Sequence, residues 1–333
     1  MATGMLAPVG RWRPGTEVSL ALLVLALAAV FGISVPTFLS AANFVDLVES
    51  YSVTGILALG VFVVLLAGGI DISFAAIASV AQYVAATLAV TSGWPPLAVI
   101  GAGLATGVAL SLVNAFLIER MAIPSIIATI ATMTAYFSTL MAWTGGRAIY
   151  TLPDWWTRRI VFWRHETDGG DIVRIGLPIV LLLVIFAATH LLIGYTRAGR
   201  QLRAVGGNAE AARRIGVRIG RVQMIAYGYL GLCAALAGLL QSYRVGQAVP
   251  NAMVGSELNV VAAAVLGGAS LTGGRGSAAG VMLGILLLAM LQNGLTLLSV
   301  PSFHFQTVIG AVLLLALVVI SRNERRVLRG TGR

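Results

Sequence analysis

Along most of the chain, apolar residues run for about the length of a helix and then stop at short polar, glycine- or proline-bearing clusters. A bilayer core takes roughly 20 apolar residues per helix, so each run reads as a crossing. Ten crossings are predicted: 18–35, 51–68, 73–91, 96–118, 124–143, 177–195, 224–243, 258–272, 279–298 and 305–321, the eighth of them short. The breaks at "TSGWPP" (91–96), "ERMAIPS" (119–125) and "VPSFHF" (300–305) carry the proline and glycine that punctuate such patterns. The expectation is an all-α integral membrane bundle. It comprises an N-terminal segment 1–17, a membrane domain 18–321 and a basic tail 322–333. Arg11 and Arg13 precede the first run much as they would in a signal peptide. No small-residue cleavage site follows it, so it is read as a retained helix.

Composition agrees with the pattern. Hydrophobic residues make up 58% of the chain and charged ones 10%, with a mean hydropathy of +0.93. A single water-soluble core cannot hide that much apolar surface. The net charge is +10, and every one of the 22 basic residues is arginine. The absence of lysine excludes a P-loop, whose lysine must reach the nucleotide phosphates. In a soluble protein such a charge would suggest nucleic acid. Here the arginines fall between apolar runs, so orientation in a bilayer accounts for them and no nucleic-acid partner is expected. With the N-terminus in the cytoplasm, sixteen arginines face inside and six outside. Five of the six outer arginines lie in one loop, 144–176, where Asp154, Glu166, Asp168 and Asp171 nearly neutralise them. The one cysteine, Cys233, allows no intrachain disulfide, and His165, His190 and His304 are far apart in sequence. Nothing in the pattern calls for catalysis, a metal or a cofactor.

Three local features carry more information. The loop 196–223 holds seven arginines and contains "NAEAARRIG" (208–216). Asn208 suits the N-cap of a short helix, Glu210 its first turn, and Gly216 its end, with Ala211 and Ala212 as a small-residue face. Arg213, Arg214, Arg218 and Arg221 rim it. Positive-inside retention explains the charge but not the cap; a capped helix with a small face is a shape that seats in another protein's groove. Two polar, glycine-rich interruptions, "AGGIDIS" (67–73) and "LGGASLTGGRGS" (266–277), fall one in each half. Unwound backbone at membrane depth is tolerated only where it is buried or lines a cavity. Glycines also recur every four residues at 276, 280 and 284, and at 103 and 107, a spacing that brings helices close. Packing within the chain is the ordinary reading of that spacing.

These elements resemble a known family. "GGNAEAARRIG" (206–216) is similar to the coupling loop of ABC-importer permeases. "GGIDIS" (68–73), "ELNVVAAAVLGGASLTGGRGSAAGVMLG" (257–284) and "LQNGLTLLSV" (291–300) resemble, in order, the signatures of the ribose-type sugar permeases. The likeness extends over nearly the whole chain from about residue 20. Phe74, Ala75 and Ala76 depart from it, since a Gly-Ser pair usually follows there, and "WTGGRAIYTLP" (143–153) is suggestive of the autoinducer-2 and rhamnose branches.

The resemblance implies a multi-pass permease of the bacterial inner membrane with both termini cytoplasmic. It implies a second permease subunit, ATP-binding cassette ATPase subunits that receive Asn208, Glu210, Ala211, Ala212, Arg213 and Gly216, and a periplasmic sugar-binding protein. Trp155, Trp156, Arg158 and Arg159 in the outer loop are its candidate docking residues, although the tryptophans also suit an interfacial belt.

Asp71 is the one carboxylate between Glu49 and Glu119. It reads either as a contact on the translocation path or as a cap that stabilises the break, and Ser73 shares the ambiguity. Gln292 and Asn293 are the further path candidates. Asn114 and His190 read as interhelical hydrogen bonders. Ser256 and Glu257 suit the start of the eighth helix as cap and first-turn acid, and Asn259 opens the same run. A secondary transporter or channel is the alternative class. Such a carrier usually needs ionisable residues deep in its spans, where only Asp71 qualifies, and it leaves the capped loop helix unexplained.

Overall fold

The computed structural model describes residues 15–166, 172–312 and 314. The segments 1–14 and 315–333, with most of the expected N-terminal segment and all of the basic tail, lie outside the described residues. In chain order the helices are α1 (Gly15–Ser34), α2 (Ala41–Leu66), α3 (Phe74–Thr91), α4 (Pro96–Arg120), α5 (Ser125–Thr144), α6 (Asp154–Thr157), α7 (Leu177–Tyr195), α8 (Arg197–Gly207), α9 (Ala209–Arg214), α10 (Ile219–Val245), α11 (Glu257–Leu266) and α12 (Ala278–Leu297). A last helix is described over 305–312. Eight of them are long and apolar enough to cross a membrane: α1 to α5, α7, α10 and α12. Between α6 and α7, an antiparallel hairpin pairs β1 (Val161–Glu166) with β2 (Ile172–Gly176).

Local chemistry sets the helix starts. Proline occupies the first turns of α4 and α7, where a missing N–H costs nothing. Ser40, Thr196, Asn208 and Ser277 each accept a backbone N–H to cap α2, α8, α9 and α12.

α2, α3 and α10 form the centre, and from Ser52 to Leu66 nearly every residue of α2 is buried. α1, α4, α5 and α7 turn apolar side chains such as Ile33, Leu97 and Leu183 outward, as a lipid-facing layer does. Lipid removes the hydrophobic drive between helices, so close backbone approach does the packing. At Gly107, an added Cβ would lie 2.6 Å from both the Ala235 Cβ and the Gly231 carbonyl oxygen of α10. Gly280 and Gly284 of α12 press on the Gly267 and Ala263 carbonyls after and within α11. The four-residue glycine spacing is therefore satisfied inside the chain.

The structure departs from the sequence expectation in four places. α2 begins at Ala41, ten residues before the predicted 51. Asn43, Asp46 and Glu49 interrupt the hydropathy there, yet Asn43 pairs with Asn293 and Glu49 with Arg159. The eighth run is helical only over α11, ten residues and about 15 Å, half a bilayer. It stops at Gly267, with Gly268 at φ +85°, and the chain that leads into it, 246–256, is non-helical. Ser256 does not cap α11, because its hydroxyl donates to Met253 O; Glu257 turns back to accept from the Gly255 amide at 2.8 Å. The arginine loop holds two helices where one was expected, and the outer loop contains a small sheet.

Two ends can be distinguished. Leu66 of α2, Glu17 of α1 and Ser277 before α12 lie with α8 at one end, where Ser277 donates to Glu17. Glu49 of α2 and Tyr243 of α10 lie with the α6–hairpin region at the other. There Arg159 bonds Glu49 at 2.9 Å, and the Ile160 amide donates to the Tyr243 hydroxyl at 2.7 Å.

Candidate functional site

α8 is amphipathic: Leu202 and Val205 are buried while Arg197 and Arg200 lie on the surface side. Arg203 is half-buried in a groove of about 250 Å³ lined also by Glu17, His190 and Ser277. Burial lowers the Arg203 guanidinium from its ordinary value.

α9 follows at once. The Asn208 Oδ1 accepts from the Ala211 amide at 2.9 Å, and Glu210 pairs with Arg214 one turn on at 3.3 Å. The Gly216 amide donates to Arg213 O and the Val217 amide to Ala212 O, which closes the helix. Gly216 has φ +85°, the left-handed backbone that such a stop requires.

Asn208, Glu210, Ala211, Arg213 and Gly216 all lie on the exposed side of this unit. Ala212 does not: it is 2% exposed and packs α9 against its own bundle, which leaves Ala211 alone of the pair on the open side. Ile215, 77% exposed, was missed. It sits as an apolar residue among arginines, a signal that averaged hydropathy hides.

The C-terminal end of α8 is wedged between both glycine-rich interruptions. The Gly274 amide donates to Leu66 O at 3.0 Å. A Cβ on Gly206 would overlap Leu66 O and lie 2.6 Å from the Gly274 nitrogen. A Cβ on Gly273 would lie 2.8 Å from the Gly68 Cα and 2.6 Å from Gly206 O. Backbone thus meets backbone from three parts of the chain, two residues before the cap of α9.

The first interruption is held by a buried polar cluster. The Asp71 Oδ1 accepts from the Ser73 amide at 2.6 Å and from its hydroxyl at 2.7 Å. Asn114 of α4 donates to Asp71 Oδ2 at 3.1 Å and to Ser73 Oγ at 2.7 Å. Ile70 N donates to Ser125 Oγ at 3.1 Å. Asp71, Ser73 and Asn114 have no exposed surface in this chain, and their hydrogen bonds brace the break.

Gln292 and Asn293 lie on α12 beside α2. Asn293 and Asn43 exchange amide hydrogen bonds at 3.0 and 3.1 Å, and the Tyr51 hydroxyl donates to Gln292. Gln292 stays exposed. His190 stacks loosely with Phe186 and Tyr195.

At the hairpin end, Trp155 and Trp156 stack with centroids 5.3 Å apart. Trp156 is 5% exposed and belongs to the core, whereas Trp155 and Arg158 face outward. Arg159 is exposed but tied to Glu49. β1 is exposed along its whole length.

A multi-pass helical bundle with paired broken segments and a capped surface helix defines a membrane permease. The chain belongs to the family described as "Branched-chain amino acid transport system / permease component", whose profile matches residues 43–317. It is 33% identical over 322 residues to the ribose import permease protein RbsC of Escherichia coli (strain K12), covering 94% of this chain and 95% of that one. It is 33% identical to the L-arabinose ABC transporter permease protein AraH of Azospirillum brasilense, over 96% of this chain and 92% of the relative. The xylose transport system permease protein XylH of Escherichia coli (strain K12) is 31% identical, over 87% of each. No solved structure matches.

Proposed function

We propose that this chain is the membrane-spanning permease subunit of an ATP-driven importer of monosaccharides or closely related small polyols. In this reading a second permease subunit completes the path and separate ATP-binding cassette subunits hydrolyse ATP. The α8–α9 end faces the cytoplasm, and a periplasmic sugar-binding protein docks at the hairpin end through Trp155, Arg158 and Arg159. The observation that carries it is α9: a capped six-residue helix exposed at one end, with Ile215 outward and its base fixed against both broken segments. A docked partner that displaces α9 has a short, stiff route into the membrane. The substrate class in this reading is supported by relatives named for ribose import, L-arabinose ABC transport and xylose transport.

The test combines assembly with uptake. Gly216→Pro removes the amide that closes α9 and denies the positive φ. Glu210→Arg places positive charge at the positive end of the helix. Both should express in the membrane but lose association with the ATPase or sugar uptake, while Arg213→Gln costs less. Parental assembly and uptake in both would reduce the loop to a topology signal.

A further inference from the structure

We infer that the groove where α1, α7, α8 and α12 meet holds the headgroup of an ethanolamine phospholipid, with its phosphate on Arg203 and its ammonium on Glu17. The site stands apart from any solute path and goes beyond the import reading above.

Depth comes first. α7 ends at Tyr195, α1 begins at Gly15, and α12 follows its cap at Ser277. These helices give the groove His190 and Gly194, Glu17, and Ser277 with Ala278. The groove therefore sits where three membrane helices leave the hydrocarbon, which is the level of lipid headgroups. α12 packs against both α1 and α7 and lies between them.

The charges are placed but not paired. Arg197, Arg200 and Arg203 follow at three-residue spacing along α8. The first two are exposed. Arg203 is half-buried and makes no hydrogen bond or ion pair among the described residues. A guanidinium carries five donors, and a half-buried one needs water or an anion. Glu17 lines the same groove, yet it accepts from the Ser277 hydroxyl and does not pair with Arg203. An acid and a base that share a groove without touching match a ligand that bears both charges.

The chemistry selects the headgroup. A phosphodiester fits the guanidinium fork, and His190 offers the same phosphate an imidazole N–H. An ammonium donates to the carboxylate of Glu17. A purely anionic headgroup would meet Glu17 uncompensated, and a choline headgroup has no N–H to give it. Basic pockets between membrane helices bind phospholipid headgroups in this way.

The tails have a track as well. Leu183, Ala187, His190 and Gly194 recur at helical spacing on one face of α7, and all four are exposed. Toward mid-membrane from His190 that face is apolar, as an acyl chain requires. A Cβ added at Gly194 would meet no atom within 4 Å, so the groove is open there.

The test is native mass spectrometry of the full chain released from nanodiscs of equal parts phosphatidylethanolamine, phosphatidylglycerol and phosphatidylcholine. The parent should retain the ethanolamine lipid above the other two. Arg203→Ala strands no protein partner, so the fold is kept. Retention should fall about tenfold, as for one lost charge-assisted hydrogen bond. Glu17→Gln still offers Ser277 an oxygen; it should hold lipid but lose the preference for ethanolamine over choline. Gly194→Leu should fill the groove and lower retention with both charges in place. Excess water-soluble glycerophosphoethanolamine should not displace the lipid, because the tails hold it. Displacement would overturn the lipid assignment in favour of a free phosphate ester. A parental preference for phosphatidylglycerol, or parental retention and selectivity in Arg203→Ala or Glu17→Gln, overturns the inference. The expected lipid pattern in a complex whose uptake needs no ATP would sink the import reading and leave this site standing.

Discussion

Asn114 of α4 and Asp71 of the first interruption are joined by a 3.1 Å hydrogen bond in a pocket with no solvent exposure. The bond ties an unwound segment to a helix that begins 25 residues later in the chain. Asp71→Asn should be tolerated, because its oxygen still serves Ser73 and the free Oδ1 of Asn114 can accept from the new amide. Asp71→Leu strands buried donors at about 1–3 kcal/mol each. Detergent stability and uptake measured together decide the matter. A stable Asp71→Asn variant without uptake would mean the charge itself works, as in an ion-coupled carrier.

The glycine crossing predicts a contrast between neighbours. Gly206→Ala forces a Cβ into Leu66 O, whereas Gly207→Ala meets nothing within 4 Å. The first should uncouple ATP hydrolysis from uptake or weaken the fold, and the second should behave as the parent. Equal behaviour of the two in paired ATPase and uptake assays would remove the crossing from the coupling route.

Asn43 and Asn293 form a reciprocal amide pair between α2 and α12. A double-mutant cycle with leucine at each position should give a coupling of about 0.6 kcal/mol and at most about 1.7 kcal/mol, the average and maximum for interhelical hydrogen bonds in a membrane protein. A zero coupling would show that each amide finds another partner.

The two tryptophans should separate. Trp156→Ala empties a core site and should cost about 3–5 kcal/mol of stability. Trp155→Ala should leave stability near parental and weaken binding-protein docking, read from uptake at low sugar concentration. Unchanged docking would assign Trp155 to the membrane interface.

Topology is checked by introduced cysteines at 160 and 208. The first should be labelled by impermeant reagent from the periplasm and the second only from the cytoplasm. Labelling of 208 from the periplasm would invert the bundle.

Much of this was legible because membrane crossing is a local constraint. Length, hydropathy and arginine placement each act within one segment, so the windows beginning at 73, 96, 124, 177 and 279 lie within five residues of α3, α4, α5, α7 and α12. The cap at Asn208 and the stop at Gly216 were equally local, set by a side chain and a φ. α8 was not read, because its arginines masked the buried Leu202 and Val205 in any averaged hydropathy.

What the sequence alone determined is therefore the class of the molecule, eight helices long and apolar enough to cross, and its surface helix. Only the tertiary structure decided which residues meet. It brought Gly68, Gly206 and Gly273 together from positions up to 205 apart in the chain. It turned Ala212 and Trp156 inward while leaving Ala211 and Trp155 out, and it left the chain before α11, 246–256, non-helical. Close packing and hydrogen bonding between distant segments settle such choices, and no window along the chain contains both partners.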